Sequence, residues 1–70
     1  MMPLTLAPPG EEAVIRRIGG NPEVRAHLET MGFVPGGLVT VVNTMGGNLI
    51  VTVKDSRVAI SKEMACKIMV

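Results

Sequence analysis

Residues 21–37, NPEVRAHLETMGFVPGG, read as one short helix with both ends marked, inside a chain that otherwise reads as strands. Asn21 suits the N-cap, because its side-chain oxygen can accept from a free backbone N–H of the first turn. Pro22 falls at the first helical position, where a missing N–H costs nothing. Glu23 sets negative charge against the positive end of the helix dipole. At the other end Gly32 can take the left-handed conformation that stops a helix, and Pro35 blocks its resumption. With Gly32 as the first residue beyond the cap, Leu28 and Phe33 become the apolar pair that closes a Schellman motif. Val24, Leu28 and Met31 form one apolar stripe at i, i+4 and i+7, so the helix, about residues 22–31, turns that stripe to a core. Arg25 and Glu29 lie four apart on its polar side.

Around this helix the pattern shortens to period two. Strands are expected at residues 4–6, 13–18, 38–44, 49–54, 57–60 and 67–70. Turn chemistry at residues 8–10, 45–48 and 55–56 separates them. A short helical turn is expected near residues 62–66, with Ser61 as its N-cap and Glu63 near the positive end. The inward set reads Leu6, Val14 or Ile15, Val39, Val41, Leu49, Val51, Val53, Val58, Ile60 and Ile68. Five to six short strands, tight turns and one inserted helix predict a mainly β fold. Rolling the sheet into a small, strongly bent barrel is the most economical way for so short a chain to hide its edges.

Seventy residues are expected to form one domain, residues 1–70, that buries only about 60% of its unfolded surface. Hydrophobic residues make up 47% of the chain and Phe33 is the sole aromatic, so the core must be aliphatic and methionine-rich. A net charge of +1 provides no long-range field to recruit nucleic acid or an anionic membrane. The single Cys66 fits a reducing compartment and excludes a disulfide-stapled module. The N-terminus lacks the basic start and apolar run of a signal peptide. No stretch approaches the ~20 apolar residues that cross a bilayer, so no direct membrane insertion is expected and the chain reads as cytoplasmic.

Catalytic constellations are missing from the pattern. One His and one Cys stand far apart, and no glycine pair precedes a phosphate-loop lysine. Glu23, His27 and Met31 follow each other at i+4 and could show a carboxylate, an imidazole and a thioether on one helix face. Two or three ligands from one short helix rarely hold a metal, so Glu23 and His27 are weak candidates and no metal site is expected. Cys66 reads as a small buried apolar residue, not as a reactive thiol. Arg16 and Arg17 are adjacent and would point to opposite faces of a strand, and no surface aromatic is left to stack on a base.

A protein partner fits better. Met31, Phe33, Val34, Met45 and Ile50 exceed what so small a barrel can hide, and methionine suits an adaptable contact surface. Met31 and Phe33 either join that surface or seal the barrel mouth under the helix. Met45, beside Gly46 and Gly47 at a hairpin tip, is expected to be exposed. The expected contact set is Met31, Phe33, Val34, Met45, Gly46, Gly47 and Ile50.

The run from Arg25 through Leu28, Met31-Gly32-Phe33 and Pro35-Gly36 resembles the FeoA family, the small accessory proteins of bacterial ferrous iron uptake. The Val-rich hairpin, Arg57-Val58-Ala59-Ile60 and the final Glu63, Ala65 and Ile68 follow the same pattern, so the resemblance covers nearly the whole chain. It implies an SH3-like barrel with a helical insertion; the residues themselves lead to the expectation of no enzymatic activity and no cofactor. It also implies a partner, a FeoB-like membrane permease with a cytosolic GTPase domain. The same fold closes iron-dependent repressors, so the alternative implied is a regulatory SH3-like domain that binds a divalent metal or a transcription regulator. Two positions depart from the family: Met45-Gly46-Gly47-Asn48 replaces a proline-bearing, acidic hairpin tip, and Asp55 replaces a turn glycine. Exposed strand edges and a small core leave room for a homodimer.

Overall fold

The computed structural model describes residues 1–70, and the helix at its centre is closed at both ends by the residues that mark it in the sequence. Helix α1 spans Pro22–Thr30. The Asn21 side chain accepts from the Val24 N–H at 2.8 Å. Gly32 takes φ +105°, and the N–H groups of Gly32 and Phe33 donate to the carbonyls of Glu29 and Leu28, each at 2.9 Å. Those two bonds are the Schellman pair, and Leu28 and Phe33 meet behind them, both fully buried.

The chain forms six strands, and α1 packs on their core through Leu28 and Val24 with its other residues exposed. β1 (Glu12–Val14), β3 (Leu38–Met45), β4 (Asn48–Val53) and β5 (Ser56–Ser61) form one antiparallel sheet in the order β1-β3-β4-β5. β2 (Arg17–Ile18) and β6 (Ile68–Met69) form a second, two-stranded sheet. The stretch at residues 13–18 is therefore two strands, where one was expected. The break falls at Ile15, whose N–H and C=O bond Gly37 and Gly36, while the next N–H, from Arg16, turns away to Met69. The chain thus passes from one sheet to the other at a corner, and Ile15, not Val14, points inward.

The N-terminal segment also departs from expectation. Residues 4–6 are a 3-10 turn, not a strand, with the N–H groups of Leu6 and Ala7 returning to Pro3 and Leu4. Its three-residue period buries Leu4 and Ala7 and leaves Leu6 68% exposed, so Leu6 is no part of the core. Beside it, Met2 and Val70 exchange backbone hydrogen bonds at 2.9 and 2.8 Å, and Pro3 bridges Met69. Residues 2 and 70 are thus neighbours on one ladder.

Both hairpins of the larger sheet are two-residue turns. Gly46, with φ +59°, opens the turn between Met45 and Asn48. The second turn is Lys54-Asp55, one residue earlier than expected, with φ +50° and +63°, the pattern of a type I′ turn. Starting there, β5 runs from Ser56 to Ser61. Helix α2 (Lys62–Ala65) follows, capped by the Ser61 hydroxyl, which accepts from the Met64 N–H at 3.2 Å.

Val39, Val41, Leu49, Val51, Val53 and Ile60 line the concave side of the larger sheet and meet Ile15, Ile18, Leu28, Phe33 and Ile68 in one apolar cluster. Val58 is half-buried against it, with Val24 and Met31. No polar or charged side chain is buried. At roughly 25 cal/mol per Å² of apolar surface, this aliphatic cluster, and no ion pair or polar network, carries the stability.

Candidate functional site

The β3–β4 ribbon changes character halfway along. Val41 faces Val51, but the next matched pair is Asn43 with Ile50, so Val42 is an extra residue, a β-bulge. Before it, Val39 and Val41 are buried; after it, Asn43, Thr44 and Met45 are all exposed. The bulge adds twist to the strand and turns the end of the ribbon away from the core. Met45 at that end is 63% exposed, next to two glycines at which a Cβ would meet nothing, although the Gly47 carbonyl accepts from the Lys62 N–H at 3.0 Å. Ile50 is half-buried and lies two residues along β4 from Asn48, on the same outward face.

The expected contact residues do not gather at one place. Met45, Gly46, Gly47 and Ile50 share the ribbon. Met31, Phe33 and Val34 follow α1 at the opposite end of β4, where Gly32 sits against the Lys54 and Val53 side chains. Six strand residues, about 17 Å, separate the two ends. Phe33 is fully buried, so it belongs to the core and not to a contact surface. Met31 and Val34 are half-buried, and Met31 packs on the core. The Schellman cap accounts for Phe33: it draws the residue after Gly32 back over Leu28 and away from solvent.

Near this second end a shallow cleft of about 330 Å³ opens between the loop after α1 (Gly32, Gly36, Gly37) and the Lys54-Asp55 turn. Thr40, Thr52, Leu38 and Glu12 line its base. Its lining has no His, Cys or Ser; Glu12, Lys54 and Asp55 are its charged groups, with the Thr40 and Thr52 hydroxyls between them. Leu38, 49% exposed, stands opposite Val14, 43% exposed, on the outer face. The sequence reading missed this apolar pair. Its signal was present in the alternation, since Val39 and Val41 facing inward put Leu38 outward.

The weak metal candidates fare as single side chains. Glu23 and His27 are both exposed on the solvent side of α1. No cluster of three or more His, Cys, Asp or Glu side chains occurs anywhere in the chain. Cys66, expected to be buried, is exposed. It is the C-cap of α2, and its Sγ donates to the Glu63 carbonyl at 2.9 Å, while Ala65 takes the core position. No helix is long and apolar enough to cross a membrane.

Comparison with known proteins places this geometry. The family model of the FeoA domain matches residues 2–70. A Fe(2+) transport protein A of Methanocaldococcus jannaschii is 34% identical over all of this chain and 85% of its own. A crystal structure of an iron uptake regulatory protein, FeoA, shares 34% identity and superposes with a TM-score of 0.88 over 97% of this chain and 90% of its own. The zinc-complexed FeoA of Stenotrophomonas maltophilia, described as a prokaryotic SH3 domain protein, is 27% identical. It superposes with a TM-score of 0.78 over 99% of this chain and 88% of its own.

Proposed function

The chain belongs to the FeoA family of ferrous iron transport accessory proteins, and we propose that it acts by docking on the cytosolic part of a FeoB-like permease. In this reading it works in the cytoplasm, performs no reaction, and supports the permease's assembly or GTPase-coupled transport. The iron is cargo of the permease and needs no ligand set here.

One observation carries the reading: a methionine 63% exposed at the tip of a ribbon whose last three residues have left the core. A thioether side chain can adapt its shape to a partner surface, and its removal from water is favourable. Met45, Gly46 and Gly47 form the contact, with Ile50 below them. Phe33 is excluded by its burial, and Met31 and Val34 at the far end of the ribbon serve the fold.

Co-purification of the tagged chain with the permease's cytosolic domain tests this. Met45→Asp should abolish recovery of the complex while the far-UV circular dichroism and the unfolding midpoint stay unchanged. Recovery equal to that of the unsubstituted chain would remove the tip from the interface.

A further inference from the structure

The outer edge of β5 is a row of backbone groups that no part of the chain pairs. The two-residue turn at Lys54-Asp55 makes Val53 and Ser56 a hydrogen-bonded pair, and the alternation then directs Ser56, Val58 and Ile60 to β4. Arg57 and Ala59 therefore turn their N–H and C=O groups outward, and no turn, loop or cap bond in the molecule uses them. The strand has six residues, no proline and no bulge, and β5 is the end member of its sheet. Such an edge is a template for another strand.

We propose that this edge pairs with its own copy, joining two chains antiparallel through β5 in a two-fold dimer with one continuous eight-stranded sheet. The sequence of β5 selects the register. Centred on Ala59, the pairing sets Ala59 against Ala59, Val58 against Ile60, and Arg57 against Ser61. A register centred on Arg57 would set the two guanidinium groups directly opposite, which is destabilising. Val58 is half-buried and Ile60 buried on the concave side, so their pairing prolongs the aliphatic face across the two-fold axis. The residue on the axis, Ala59, has the smallest side chain in the strand and is exposed. A second copy fits better than an unrelated strand because both halves of this match, apolar to apolar and arginine to serine, are supplied by one segment. The inference is independent of docking through Met45, which lies on the other hairpin.

Sedimentation velocity over a concentration series reaching the millimolar range is the first test. The mass should rise reversibly from 7.4 kDa towards twice that value. Ala59→Pro removes an outward N–H without touching the β4 ladder, a placement proline tolerates at an edge, and should weaken association at least about tenfold. The decisive variant is Ala59→Cys in a Cys66→Ser background. Opposed Ala59 positions lie within disulfide range, whereas opposed Arg57 positions are offset by about 14 Å along the strand. Mild oxidation should cross-link the first and leave Arg57→Cys in the same background without an intermolecular disulfide. If the proline variant loses its circular dichroism signature, the cysteine pair decides alone. A chain monomeric at every concentration, a dimer unaffected by Ala59→Pro, or equal cross-linking at both positions would overturn the proposal.

Discussion

The two ends of β3 belong to one strand and have opposite fates. At its root, residues 38–41 have β1 on one side and β4 on the other, and the strand alternates buried and outward residues. Beyond the bulge at Val42 only β4 remains beside it, and Asn43, Thr44 and Met45 are exposed together. Membership of a strand is thus no measure of burial; the number of flanking elements decides it. The root fixes the shape of the molecule and the tip is left for contact.

Substitutions at the two ends should separate these roles, starting with the largest effect. Phe33→Ala, beneath the root, removes the largest fully buried side chain and should cost about 3–5 kcal/mol in a urea titration. A smaller loss would mean that the core collapses around the cavity. Gly32→Val puts a β-branched residue at φ +105° and should cost more than about 1 kcal/mol, read the same way. Asn21→Ala leaves the Val24 N–H without its side-chain acceptor and should cost about 1 kcal/mol. Met45→Ser, at the tip, should change stability by less than about 0.5 kcal/mol while reducing recovery of the permease complex. A Met45→Ser loss as large as that of Phe33→Ala would erase the distinction between the ends.

How far the sequence could be read follows from the range of each interaction. The helix was legible to its caps because Asn21, Gly32 and the Leu28–Phe33 pair act within a few residues of one another. The hairpin strands were legible because their alternation persists over six to eight positions. Residues 4–6 were not, since Leu4 and Leu6 fit period two while Leu4 and Ala7 fit period three, and packing against α2, about sixty positions away, accompanies the second choice. The corner at Ile15 likewise arises from partners distant in the chain, Gly36 and Gly37 on one side and, through Arg16, Met69 on the other. Of the contact residues, Met45 was legible from its glycine neighbours. Phe33 had two readings open, and the cap chose between them.

Met2 and Val70, bonded to each other across one ladder, lie a single strand spacing apart, about 4.8 Å. A brief linker could therefore close the polypeptide into a ring without disturbing either sheet, and the ring could be reopened between Gly46 and Gly47. The cut would then fall where no side chain is packed, yielding a permuted molecule with the same barrel and a severed tip.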